Sequence, residues 1–137
     1  MKSIVLFSLV VFPCLVKGQH GHAASGYSPI ATKIVLQQLL SDSGLENREI
    51  KMMIVDFPPK SGSGAHRHPC PTFGYMLEGE IESVFEGKTY VYKQGDSFFE
   101  FTNGLHSLSR NNHPTKPAKL LVFFVGENDK PVTVPEK

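Results

Sequence analysis

His66 and His68 stand one residue apart in the run Gly64-Ala65-His66-Arg67-His68-Pro69. Side chains two residues apart on an extended strand share a face, so both imidazoles point one way and Arg67 points the other. The pair is a ready chelate. A third histidine, His106, ends the apolar stretch that starts at Gly95, a strand pair's worth of chain further on. A neighbouring strand there can carry it opposite the first two. Three imidazoles converging inside a barrel hold a divalent metal and leave coordination positions open. A lone core histidine is more often a hydrogen-bonded packing residue; the strand-spaced pair and the framed third together single out His66, His68 and His106. Iron, manganese, nickel, copper and zinc all accept imidazole, so the donor type leaves the metal's identity open.

Neutral ligands leave such an ion its full double charge in a low-dielectric interior, which favours anionic or chelating partners such as hydroxide, an enolate or a carboxylate. The partner this chemistry asks for is a small-molecule substrate. Tyr75, close in sequence to the histidine pair, could give a proton to it, with packing as the alternative. Cys70 could approach the metal as a thiolate. Met53, Phe73, Phe99, Phe101, Leu108 and Phe123 are candidate cavity walls or simply core. Arg110 could steer an anion, with a plain surface arginine as the default.

Short strands must position these groups. Across residues 49–57, Ile50, Met52 and Ile54 alternate with Met53, Val55 and Phe57, and Pro58-Pro59 ends the strand. Residues 31–40 read as a strand rather than a short helix, given their β-branched side chains and the Asp42-Ser43-Gly44 turn that follows. Further strands are expected over 73–77, 81–85, 89–92, 97–101 and 106–109, with Glu86-Gly87-Lys88 as a hairpin turn. Residues 119–125 form a continuous apolar run that should be buried. Turn signals about every ten residues, with no helical pattern after residue 45, argue an all-β sandwich or barrel.

With 137 residues, 40% of them hydrophobic and 20% charged, the chain suits one globular domain. Its formal charge of +1 is spread without a basic run, so nucleic acid is not an expected partner. Residues 1–18 have the pattern of a secretory signal peptide: Lys2 at the start, then an apolar core from Ile4 to Val16 that is too short to span a bilayer. A buried first strand or helix is the alternative. Cleavage would remove Lys2 and Lys17, taking the charge from +1 to −1, and would leave Cys70 without a disulfide partner. The mature protein is then expected to be secreted or periplasmic, with no membrane association. Residues 19–30 are expected to be a flexible leader, in which His20 and His22 copy a chelate's spacing on a mobile segment. Residues 31–128 form the barrel, and 129–137 a tail that is at most an edge strand.

The stretches from Gly64 to Gly79 and from Gly95 to Asn111 resemble the two motifs of the cupin superfamily, in its small single-domain form. The first motif is a glycine, a His-x-His pair, a glutamate a few residues on and a closing glycine; His66, His68 and Gly79 fit. The second runs from a glycine through a proline and a glycine to a histidine, then an asparagine; Gly95, His106 and Asn111 fit. The resemblance covers roughly residues 45–126 and implies a double-stranded β-helix, the jelly-roll barrel, with the metal inside one mouth. This sequence departs from the pattern twice. The glutamate position falls on Thr72, and the proline and glycine of the second motif are Phe101 and Asn103. A three-histidine site without a carboxylate is therefore expected, with Thr72 bonded to a metal-bound water or serving only to start a strand. By resemblance, the function is that of an exported metal-dependent enzyme of dioxygenase type, acting on a small chelating phenol, enol or diketone. The alternatives are a non-redox isomerase or lyase acting on a sugar acid or carboxylate, and a non-catalytic small-molecule-binding protein. A homodimer is also implied by the resemblance.

Overall fold

The structure is a computed structural model describing residues 27–137. The expected signal peptide and most of the leader, with His20 and His22, lie outside the described residues. The strands are β1 (Ala31–Leu39), β2 (Arg48–Phe57), β3 (Ser61–Gly62), β4 (His66–Arg67), β5 (Thr72–Glu78), β6 (Glu80–Phe85), β7 (Lys88–Lys93), β8 (Ser97–Glu100), β9 (Leu105–Asn111), β10 (Ala118–Glu127) and β11 (Val134–Pro135). One sheet has the order β1-β2-β10-β5-β8. The other runs β11-β4-β9-β6-β7, with β3 also paired to β9. All these pairings are antiparallel, and no helix occurs among the described residues, so the fold is the expected all-β jelly roll.

Period-two alternation decides what lies between the sheets. On β10, Ala118, Leu120, Val122 and Phe124 are buried, while Leu121, Phe123 and Val125 turn to the outer face and stay half-buried. The continuous burial expected of this run therefore holds for one face only. Met76 and Ile81 are fully buried and join Val55, Phe57, Leu120 and Phe124 in the core. Each such side chain contributes roughly 1.5–3 kcal/mol by leaving water. The outer face of the five-stranded sheet is apolar too: Met52, Phe123, Phe73 and Phe99 follow one another across four strands. Phe73 is 43% exposed and Phe99 57%. Of the expected cavity walls, Met53 lines the cavity, while Phe73, Phe99 and Phe123 face outward because their strands are turned the other way. Phe101 is exposed against Phe85, and Leu108 does not reach the cavity.

One departure from the second motif, Asn103, has a local place. Asn103 takes the left-handed φ of 63°, which asparagine tolerates better than most residues. Its N–H donates to the His68 carbonyl at 2.7 Å, and its own carbonyl accepts from the Arg67 guanidinium at 2.7 Å. The turn thereby ties the His66–His68 segment to the loop before His106. Gly79 combines a φ of 71° with a backbone that lets Pro117 approach; a Cβ there would meet the Pro117 oxygen at 2.6 Å.

Asn111, fully buried, is a clamp rather than a ligand. Its amide faces the carbonyls of Phe57, Pro58 and Lys116 at 3.0, 3.3 and 2.8 Å, and its Oδ1 accepts from the His113 N–H at 2.9 Å. Asn111→Ala would leave several buried carbonyls without a donor and should cost about 2 kcal/mol. Urea unfolding should show a lowered midpoint, and metal content should be unchanged.

At the edges of the described residues, the tail forms the expected edge strand and the last leader residues lie against the barrel. Ser28 bridges to Ser61, Tyr27 and Pro29 line the cavity, and β11 pairs with β4 along the histidine segment.

Candidate metal centre

Strand β4 presents His66 directly opposite His106 on β9, and His68 follows where β4 has ended. The rings of His66 and His68 are 4.9 Å apart between centroids, as are those of His66 and His106; His68 and His106 are 6.3 Å apart. One nitrogen from each ring lies within 4.8 Å of the others. His68 and His106 are buried and His66 is half-buried. Arg67 turns away to pair with Glu136.

The remaining nitrogens of these rings are all engaged. His66 Nδ1–H donates to the Gly64 carbonyl at 2.8 Å. His68 Nδ1–H donates to the Val132 carbonyl at 2.8 Å, with Thr133 Oγ1 at 3.3 Å. His106 Nε2 lies 2.9 Å from Ser83 Oγ and 3.0 Å from Ser109 Oγ, either of which can take its proton. The carbonyl acceptors fix two tautomers, so Nε2 of His66 and Nε2 of His68 keep bare lone pairs; with the two serine hydroxyls accepting from Nε2–H, His106 keeps its lone pair on Nδ1, the arrangement that orients metal-ligating imidazoles. Burial pushes the His66 pKa down to about 4, helped by the neighbouring imidazoles and opposed by the Gly64 carbonyl. It pushes His68 down as well. Rings held neutral are rings ready to ligate.

Glu100 on β8 was not foreseen. It is 3% exposed, with Oε1 3.4 Å from His106 Nδ1 and Oε2 3.8 Å from His68 Nε2. The cluster itself is the expected three histidines, with the Glu100 carboxylate standing beside it. Among the described residues, His106 Nδ1 and Glu100 Oε2 are buried with no hydrogen-bond partner. Two orphaned electron-pair donors on neighbouring side chains, beside the bare nitrogens of the other two rings, fit a divalent cation. The one signal in sequence was an acid inside the apolar run Phe98-Phe99-Glu100-Phe101.

The other candidates separate. Thr72 is 1% exposed, lines the cavity and spends its hydroxyl proton on the Cys70 carbonyl at 3.2 Å. Tyr75 lies three positions along β5, on the opposite face, and is 47% exposed; the strand's alternation removes it from the site. Cys70 is buried in the core, where burial pushes its thiol pKa up and makes it inert as a thiolate. Arg110 bonds Tyr27 and pairs with Glu82. The histidines open onto a cavity of about 480 Å³ walled by Met53, Val55, Phe57, Phe98, Leu120 and Val122. No lysine or arginine lines it among the described residues.

Ser83 and Ser109 reach His106 from β6 and from its own strand. Removing both in Ser83→Ala/Ser109→Ala should weaken metal binding about tenfold by freeing the ring and its tautomer. Chelator competition would measure this, with the melting temperature as a control for folding.

No curated protein sequence matches the chain. Among solved structures, the DMSP lyase DddQ from Ruegeria pomeroyi DSS-3 superposes with a TM-score of 0.60 at 22% identity, over 77% of this chain and 51% of the lyase. KdgF from Halomonas sp. gives 0.58 at 21%, over 73% and 81%. A recombinant oxalate oxidase in complex with glycolate gives 0.59 at 21%, over 77% and 54%. The chain spans about half the length of the lyase and the oxidase, and at these identities the likeness is one of fold. A family model for the cupin domain matches residues 53–124, the segment that carries all three histidines and Glu100, and the chain belongs to the cupin family.

Proposed function

We propose that this protein is a metal-dependent enzyme of dioxygenase type, acting on a small phenol, enol or diketone that chelates the metal through oxygen. The observation that carries the reading is the convergence of three lone-pair nitrogens at an apolar cavity, each ring held by a hydrogen bond on its far side. His66, His68 and His106 would hold the ion, which supplies Lewis acidity and, if it is iron, a meeting point for substrate and dioxygen. The chain's own contribution is positional. The aliphatic and aromatic walls exclude water and accept an apolar substrate body, and the Gly64, Val132 and serine contacts keep the imidazoles aimed. With no lysine or arginine lining the cavity among the described residues, a polyhydroxylated sugar acid has little to bind beyond the metal.

A second reading, a non-redox lyase or isomerase, is favoured by Glu100, a buried carboxylate beside the site that could take a proton from substrate. Oxygen uptake separates the two. Consumption of dioxygen matched to loss of substrate, absent in His106→Ala, upholds the first; turnover that persists without dioxygen replaces it with the second. Export from the cell is also proposed, on the apolar run from Ile4 to Val16. The apolar outer face of the five-stranded sheet is where the expected homodimer would form.

A further inference from the structure

Strands β5 and β8 pair antiparallel with Thr72 directly opposite Glu100. Residues so paired project from the same face, with Cβ atoms about 5 Å apart. Both are buried and both line the cavity beside the histidines. The hydroxyl offered by β5 thus has a carboxylate as its neighbour across the ladder.

The distances say what that carboxylate does. At 3.4 Å from His106 Nδ1 and 3.8 Å from His68 Nε2, its oxygens are too far or too poorly placed for hydrogen bonds to those rings. The 3.4 Å from Oε1 to His106 Nδ1 is the spacing of two donors on one ion: with bonds of about 2.1 Å, two donors lie about 3.0 Å apart at octahedral angles and about 3.4 Å at tetrahedral ones, and the 3.8 Å to His68 Nε2 is a few tenths wider. Oε2 has no hydrogen-bond partner among the described residues, and no lysine or arginine lines the cavity to balance the charge. A buried carboxylate without a counter-charge is strongly disfavoured, and a cation held by the imidazoles supplies one.

We infer that Glu100 is a fourth metal ligand, delivered to the site from β8 across the ladder from Thr72. This rests on the metal reading above. A bound divalent ion would then carry a net charge of one rather than two. The substrate would meet an ion already partly neutralised, which favours a weakly acidic phenol or enol over a dianion.

Cobalt(II) is the probe. Its affinity, by chelator competition, and its visible absorption bands, which follow the donor set, are measured for the wild type, Glu100→Gln and the cross-strand swap Thr72→Glu/Glu100→Thr. Glu100→Gln should bind cobalt at least about tenfold more weakly with shifted bands, and the swap should recover affinity to within about threefold of the wild type. A folded Glu100→Gln with wild-type bands overturns the inference, whatever its affinity, and leaves the metal reading standing. Wild-type protein that takes up no cobalt overturns both. If Glu100→Gln fails to fold by circular dichroism, the swap decides: wild-type-like cobalt binding upholds the ligand, and binding more than about tenfold weaker overturns it.

Discussion

Purified His106→Ala is expected to carry almost no metal where the wild type carries one ion per chain. Loss of His106 Nδ1 leaves two of the three imidazoles, both from one short segment, without the donor that stands directly across the β4–β9 ladder. Losing one of three nitrogens from a closed site should cost at least about a hundredfold in affinity, more than the 10–100-fold typical of losing a group that only orients a ligand. The fold should survive. The space left by the ring is bordered by Ser83, Ser109 and Glu100, all polar, and water can fill it and bond to them. Elemental analysis of both proteins decides the matter, and His113→Ala serves as the control. His113 is exposed, and its Nδ1 accepts the N–H groups of Thr115 and Lys116 within its own loop. A His106→Ala protein with undiminished metal would remove the third imidazole from the site.

The trio was legible in sequence because its signal is local. A period of two places His66 and His68 together whatever the rest of the chain does, and the segment from Gly95 to His106 frames the third. Glu100 was not legible, and β8 shows why. In Phe98-Phe99-Glu100-Phe101 both faces of the strand are apolar, and the outer face of this sheet is itself apolar through Met52, Phe123, Phe73 and Phe99. Hydrophobicity could not say which side was inside, and choosing Phe99 and Phe101 as walls sent Glu100 outward by a slip of one position. Tyr75 failed by the same arithmetic: proximity in sequence to a ligand says nothing about the face, and three positions along a strand is the wrong face. The groups that hold the rings were out of reach for another reason. Val132 contributes only a backbone carbonyl, and Ser83 reaches His106 through strand pairing 23 residues away, so neither leaves a mark in the local sequence. Asn111 was legible as part of a motif, while its work as a clamp on Phe57, Pro58 and Lys116 shows only in three dimensions.

Stripping the metal should lower the melting temperature by about 15 °C at neutral pH and make the protein acid-sensitive. An ion that binds only the folded chain, present at about a thousand times its dissociation constant, contributes about 4 kcal/mol, and a domain of this size loses about 4 °C per kcal/mol. What remains after chelation is a buried cluster of imidazoles with no cation to face. His66 then sets the sign of the pH dependence. Its pKa is about 4 in the fold, through burial, against 6.5 in the unfolded chain. Above pH 6.5 neither state holds the proton, so stability is at its full value. Between 6.5 and about 4 the unfolded chain gains a proton that the folded ring refuses, and stability falls as the pH is lowered. The span of the shift corresponds to about 3 kcal/mol, reduced to about 2 because the ring is only half-buried. His68 is displaced in the same direction by the same cause and deepens the loss. Calorimetric melts of chelated and loaded protein at about pH 7.5, 6 and 5 measure both effects. A chelated protein whose melting temperature stays flat across that range has rings that meet water in the fold, and such rings do not enclose a metal.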